Sequence, residues 1–375
     1  MTWLFKNNWQ RPQKSDLIAK MGSQENDVAL AAGNELRQHE WLTNGGLKRS
    51  RLLGANLQGA NLQEADLEGA RLEWANLQDA DLLHANLQEA FLQLANLQRA
   101  DLSQANLQYA DLAKAHLQGS RLQMADLRGA KLIEANLQGA HLGSAVLQEA
   151  RLQLADLRGA NLSEANLQGA HLLGARMQQA NLTSAYLQNA YLGEAQLNGA
   201  YLAQADLRGA TLTGTILRRA DLKEARLQGA RLGMADLQRA SLWGANLQGA
   251  HLLGAKLHEA DLSNAHLQEA FLVDAILLNA RLGLANLAGA VMTNCNLQGA
   301  HLWLANLQGV DLSGANLLGA ELRWTHFDEA SRLPDGSQWE VDIDLARFTD
   351  PEHPEFWRSD DPTSPAYGEY TPVRQ

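Results

Sequence analysis

Eleven histidines, one cysteine and several carboxylates are the residues with which this chain could do chemistry. Convergent histidines could hold a zinc ion, Cys295 could act as a nucleophile, and two carboxylates at one site could divide acid and base roles. Each of these chemistries needs convergence within hydrogen-bond or metal-ligand reach. Neither the glycine-rich dinucleotide turn nor the phosphate-loop pattern occurs in the sequence. Whether the remaining candidates meet depends on the elements that carry them.

Those elements are written in a repeat. From Leu52 to Phe327 every residue whose number ends in 2 or 7 is large and apolar, 56 positions in all; each is Leu except Met177, Met292 and Phe327. Two residues earlier stands Ala, the exceptions between Ala55 and Ala330 being Ser120, Thr215, Cys295, Val310 and Thr325. No insertion or deletion breaks this register. A stripe of period five drifts around every face of an α-helix. In a flat strand, the Ala and Leu of one pentad share a side but the next Ala falls on the other. The phase is restored when the chain turns a corner once per pentad. A pentad spans roughly 10–15 Å, and apolar layers pack about 10 Å apart, so four sides enclose a square that leucines fill. Four pentads make a coil of 20 residues, and 56 positions make about 14 coils, a rod of roughly 67 Å.

The residues ANLQGANLQEADL from Ala55 to Leu67 and their many echoes resemble the pentapeptide-repeat family: a small residue, Asn or Asp, Leu or Phe, a polar residue, then often Gly. The resemblance implies a right-handed quadrilateral β-helix. The chain departs from the family pattern in using Gln, as at Gln58, Gln78 and Gln98, where Ser, Thr or Arg is frequent.

The predicted fold is therefore an all-β solenoid in three parts. Residues 1–46 form an N-terminal segment with a helical cap, 47–330 the β-helix, and 331–375 an acidic, proline-containing tail. The cap is expected between Ser23 and Leu42, with Ser23 or Asn26 as N-cap and Val28, Ala31, Ala32 and Leu36 as its apolar stripe. All seven prolines fall outside the repeat, as a hydrogen-bonded ladder requires, and Leu333–Ser337 reads as a turn.

Stacked neighbours in a 20-residue coil lie 20 positions apart, and this spacing tests the chemistry. No histidine of the repeat stacks on another: His171 falls between Arg151 and Tyr191, His251 between Arg231 and Phe271, His301 between Arg281 and Glu321. His258 and His266 lie on opposite sides of the rod. Asp81 stacks on Asp101, which could raise one carboxyl's pKa. Cys295 sits at an Ala position and reads as a small buried hydrophobe. A filled rod offers no catalytic cavity, so no enzyme activity, metal or cofactor is expected.

Two strips stand out from the monotonous NLQG background. One carries, just before each Leu, Arg51, Arg71, Phe91, Asp111, Lys131, Arg151, His171, Tyr191, Thr211, Arg231, His251 and Phe271, a mostly basic and aromatic ladder. The opposite strip gathers Trp243, Leu284, Trp303, Leu304 and Trp324 toward its C-terminal end. A contiguous apolar patch of this kind marks a contact surface. The expected cover is the tail, through Trp339, Phe348, Phe356 and Trp357; a homodimer seam or a foreign partner is the other use.

The net charge of -11 divides into +2 over residues 1–50, -7 over 51–330 and -6 over 331–375. Acid so thinly spread, with Arg interspersed, argues against nucleic-acid binding. The leading expectation is a scaffold presenting flat faces to a protein partner. A second reading is a DNA mimic binding a type II topoisomerase, since some members of the family that the chain resembles protect DNA gyrase from quinolones. A third is peripheral membrane docking through Trp3, Leu4, Phe5 and Trp9 beside Lys6, Arg11 and Lys14, although packing of this segment on the cap is favoured. One cysteine, no long apolar run and no recognisable leader make the cytoplasm the expected location.

Overall fold

A computed structural model describes residues 13–359. Two helices, α1 (Lys14–Met21) and α2 (Asn26–Gln38), precede the coiled region, and a single-turn helix, α3 (Ala346–Thr349), follows it. Between them each residue ending in 1 or 6 forms a parallel bridge with the residue 20 further on, from Arg51–Arg71 to Asn306–His326. Every bridge is isolated, so one side of the coil is a single bridging residue with its inward neighbours, followed by a turn.

The backbone of one pentad accounts for its own stability. Tyr186 N–H donates to Ala165 in the coil before (2.9 Å), and Leu187 N–H to Asp206 in the coil after (2.7 Å). Asn189 N–H also reaches the coil after, at Arg208 (3.0 Å), while Ala190 N–H closes the turn onto Leu187 (3.0 Å). The fifth N–H, just after the Leu, finds a partner where the bridging residue is Asn or Asp. Gln98 N–H donates to Asn96 Oδ1 (3.2 Å) and Ser103 N–H to Asp101 Oδ1 (3.0 Å), the local Asx turn. The repeat's preference for Asn or Asp before Leu is thereby explained. The residue two after each Leu is left-handed whether or not it is glycine, as at Asn189 (φ 58°).

Leucines from Leu52 to Leu317, with Met177 and Met292, are fully buried along the axis, and the alanines beside them as well. Leu322 and Phe327 are half-buried, because no regular coil covers them. Three larger residues at Ala positions bury their polar atoms by donating to carbonyls: Ser120 Oγ to Leu117 (2.8 Å), Thr215 Oγ1 to Leu192 (2.9 Å) and Cys295 Sγ to Leu272 (2.8 Å). Burial pushes the Cys295 thiol up, which keeps it protonated and unreactive.

The ends differ from expectation in detail. Helix α2 begins one turn inside the expected span, and Ser23 Oγ accepts from Glu25 N–H ahead of it (3.0 Å). Its buried residues are Ala29, Ala32 and Leu36; Val28 and Ala31 point outward. Helix α1 is an addition, held by Leu17 and Met21, a stripe too short to read from sequence. Asn26 Nδ2 donates to the carbonyls of Asn56 (3.1 Å) and Gln58 (3.2 Å), and Arg37 Nη2 to those of Asn61 (3.1 Å) and Gln63 (2.9 Å). The carbonyls at the open edge of the first coil are thus bonded by helix side chains. The N-terminal apolar residues Trp3, Leu4, Phe5 and Trp9 lie outside the described residues.

At the other end the bridge spacing lengthens from 20 to 21, at Asp311–Arg332, because one extra residue enters after Phe327. Leu333 is then fully buried, so the inward pattern runs one pentad past Ala330 before the Leu333–Ser337 turn. Asp328 Oδ1 accepts from the N–H groups of Gly309 (2.8 Å) and Ala330 (3.1 Å), fixing the irregular corner. Trp339 stacks on Phe327 (6.1 Å between centroids), Thr349 accepts from Gly319 N–H (2.7 Å), and buried Phe348 meets the edge of Trp357 (6.0 Å). The described tail therefore closes the open end of the rod. The expectation that the tail covers the strip of Trp243, Leu284, Trp303, Leu304 and Trp324 is not met by residues 331–359, which leave all five side chains exposed. The end makes the stronger demand, since it presents unpaired N–H groups as well as half-covered leucines.

Two outcomes follow from this construction. Leu187→Ala should lower stability by about 2–5 kcal/mol, measured by chemical denaturation, through lost transfer energy and a residual cavity. Asp206 offers a test by pH. Burial pushes its carboxyl up, but hydrogen bonds from the Arg208 side chain and backbone and the charge of Arg226 outweigh this, leaving it below the usual carboxylate range. A lowered folded-state pKa stabilises above the unfolded value and loses that contribution as pH falls through the folded one. The melting temperature should therefore fall as pH drops below about 4. Asp206→Asn should melt lower at neutral pH and show a shallower acid decline; an unchanged acid limb would refute the assignment.

Candidate interaction site

The four sides of the rod are named here by their first central leucine. Of the exposed large hydrophobic residues in the repeat, ten lie on the Leu52 face and seven on the opposite Leu62 face. The Leu67 face has two, Tyr109 and Tyr186, and the Leu57 face none. Apolar exposure is thus concentrated on one opposed pair of sides.

On the Leu62 face, Leu284, Leu304 and Trp324 form one column at the left-handed turn position, with φ of 60°, 55° and 59°. Trp303 flanks them, its indole lying against Gly283, where any Cβ would collide with the ring. Trp243 is three coils away. Trp324 is 67 % exposed, with the Arg323 guanidinium 5.7 Å from its ring. The five residues expected from sequence are thus brought to one side of the rod and left bare.

The Leu52 face carries the expected ladder, but its charge is balanced. Six basic residues (Arg51, Arg71, Lys114, Lys131, Arg151 and Arg231) share it with six acidic ones (Glu73, Asp111, Glu134, Glu194, Asp274 and Asp311). The ladder looks basic in one column because four of the six acids, Glu73, Glu134, Glu194 and Asp274, stand in neighbouring columns. Arg71 pairs with Glu73 (2.8 Å), Lys114 with Glu134 (3.4 Å) and Lys131 with Asp111 (3.5 Å). Among the described residues Arg151, Arg231, Glu194 and Asp274 form no side-chain ion pair or hydrogen bond. His171 stacks on Tyr191 (4.7 Å) and His251 on Phe271 (4.9 Å).

Three local terms disfavour what this face contains. Its bridging residue is Asn or Asp at Asp111 and Asp311 alone, so most of its pentads lack the Asx hydrogen bond, a net loss of about 1 kcal/mol each. Trp74, Leu94, Leu154 and Met234 occupy left-handed turns, at roughly 1 kcal/mol each relative to glycine. The same side chains are exposed, Met234 at 61 %. A side that gives up turn hydrogen bonds at its bridging residues and carries strained, exposed apolar side chains at its corners marks a surface kept for contact.

A longer period also runs along this face. Arg71, Arg151 and Arg231 are 80 residues apart, and so are Trp74, Leu154 and Met234, and Phe91, His171 and His251. Leu173 and Leu253 keep the spacing, as do the inward exceptions Thr215 and Cys295 with their carbonyl partners Leu192 and Leu272. The signal was available in the repeated string HLLGA at 171–175 and 251–255, but the five-residue rhythm masks it.

The other candidates dissolve on inspection. Asp81 and Asp101 do bridge in adjacent coils. Burial pushes Asp101 up, but hydrogen bonds from Ser103 and the Arg121 guanidinium more than offset it and hold the group below the usual range. Among the described residues no three of His, Cys, Asp and Glu converge as metal ligands, and no helix is long and apolar enough to cross a membrane.

Comparison with known proteins places this architecture. Eight copies of a pentapeptide-repeat model match between residues 49 and 331. The chain is similar to HetL, a pentapeptide repeat protein involved in heterocyst differentiation regulation from the cyanobacterium Nostoc sp. strain PCC 7120. The identity is 30 %, over 72 % of this chain and 92 % of that one, with a TM-score of 0.23. It is also similar to the pentapeptide repeat protein Rfr23 of the cyanobacterium Cyanothece 51142 (43 % identity, 24 % and 62 % covered, TM-score 0.24). A third similar structure is QnrB1, a plasmid-mediated fluoroquinolone resistance protein (19 % identity, 46 % and 89 % covered, TM-score 0.27). No curated protein sequence matches the chain. With the repeat matched over most of its length and every pentad turning as the family's right-handed quadrilateral β-helix requires, the chain belongs to the pentapeptide-repeat family.

Proposed function

We propose that this protein is a non-enzymatic scaffold: a capped stack of about 14 coils that binds a protein partner through a flat side. The observation that supports this reading is the bare patch of Trp243, Leu284, Trp303, Leu304 and Trp324 on the Leu62 face. Tryptophan is the side chain most enriched at binding hot spots, and clustered aromatics on a rigid surface lose little entropy on contact. The reading includes a cytoplasmic location, which a single buried cysteine accommodates. A pull-down from the native host tests it. The wild-type rod should retain a protein that a Trp303→Ala, Trp324→Ala variant loses, while the variant's melting temperature stays within a few degrees. Equal retention by both would sink the reading.

The DNA-mimic reading has one feature in its favour, a surplus of acid on the Leu67 face, with nine carboxylates against three arginines. Duplex DNA carries about one charge per 1.7 Å, so a rod of roughly 67 Å would need about 40 charges to imitate it. Nine carboxylates fall far short, and Arg128 and Arg208 neutralise Asp126 and Asp206 at 2.6 Å. In a gyrase supercoiling assay the protein should not inhibit at sub-micromolar concentration. Inhibition there would make mimicry the leading reading.

A further inference from the structure

We propose that two copies of this chain pair side by side and antiparallel through the Leu52 face, with the two-fold axis at the coil of His171 and Leu173. The proposal is independent of the partner-binding patch, which lies on the opposite side.

The choice of a second copy rests on three observations. The first is spacing. Features of this face recur every 80 residues, four coils or about 19 Å, along a side whose rows are about 4.8 Å apart. A second rod has the same rows and the same longer period, so its surface matches at every row.

The second is charge. Each chain carries a net charge of -11, which opposes self-association. The Leu52 face is balanced, whereas the Leu67 face has a surplus of six acids. Two copies can therefore approach at the Leu52 face without that repulsion, and the cations and anions left unpaired there complement one another.

The third is register. A two-fold axis at His171 sets each coil before it against the coil equally far behind. Arg151 then faces the coil of Glu194, Arg71 that of Asp274, and Arg231 that of Asp111. Trp74 meets the coil of Phe271, and Leu94 that of Leu253. Leu173 meets its own copy. Every exposed apolar side chain of the face falls inside the overlap, and the coil left over presents Asp311, Ser313 and Gly314. The overlap is about 60 Å by 12 Å, or roughly 700 Å² per copy, near the 800 Å² per partner of a standard stable interface.

Light scattering with charge exchange tests the pairing. Wild type should run at twice the chain mass at tens of micromolar. Arg151→Glu alone and Glu194→Arg alone should each weaken the dimer at least tenfold, since each places like charges together twice across the axis. The double variant Arg151→Glu, Glu194→Arg should recover dimerisation to within a few fold, and so should an equimolar mixture of the two single variants. Both side chains are on the surface, so circular dichroism should show the coil intact throughout. Trp303→Asp, on the opposite side, should leave the dimer unchanged. A monomeric wild type overturns the proposal and frees the face for a foreign acidic and apolar partner. A dimer indifferent to the single substitutions, or one that Trp303→Asp abolishes, places the seam elsewhere. Failure of the exchange to rescue excludes this register.

Discussion

Everything in this molecule depends on a turn that ends in a left-handed residue once every five positions. Where Ala190 N–H closes onto Leu187, Asn189 takes φ of 58°, and the chain changes direction by a quarter of a coil. That corner keeps alanine and leucine facing inward, brings the backbone back beneath itself after 20 residues, and fixes the square that leucine fills. A residue in this conformation strains any side chain other than glycine, and the pentads accept the strain because each turn also delivers three hydrogen bonds to neighbouring coils.

The five-residue rhythm made most of this readable. The corner and the inward pair follow from side-chain alternation, and the coil length from packing leucine across a square. The unbroken register predicts burial from Leu52 to Phe327; the structure buries the column as far as Leu317 and leaves Leu322 and Phe327 half-covered. The ends were less readable, because each is specified by a few long-range contacts with no period. Arg37 reaching Asn61 and Gln63 is one such contact, and the extra residue after Phe327 is another. The position of the tail is not legible in the sequence, because the apolar strip and the open coil end lie side by side and both call for cover; the unpaired N–H groups of the last coil decide for the end. On the Leu52 face a single column shows the basic residues, whereas the balancing acids Glu73, Glu194 and Asp274 stand one or two columns away and join them only when the whole side is assembled.

The faces divide stability and recognition between them. The Leu57 and Leu67 sides are dominated by Asn, Asp and Gln, which complete the turn's hydrogen bonds and stack in ladders such as Asn96 on Asn76 (3.1 Å). The Leu52 and Leu62 sides give up part of that stabilisation for Trp, Leu, Met and His at exposed positions. A solenoid tolerates such a division because each coil contacts its two neighbours alone, so the weaker pentads on the Leu52 and Leu62 sides are held by the two strong pentads of the same coil.

The quarter-turn corner also constrains how such a gene can grow. Inserting one pentad would preserve the core, since Ala and Leu still point inward, but every residue beyond it would rotate onto the adjacent side. The Arg, His and Leu of the Leu52 face would be split between two directions, and the opposite tryptophans would lose their common plane. Insertions of 20 residues or their multiples leave each column where it was and lengthen the rod. The recurrence of HLLGA after 80 residues is a multiple of that kind. Duplication in whole coils conserves a surface, whereas duplication in single pentads conserves a core and scrambles what the surface says.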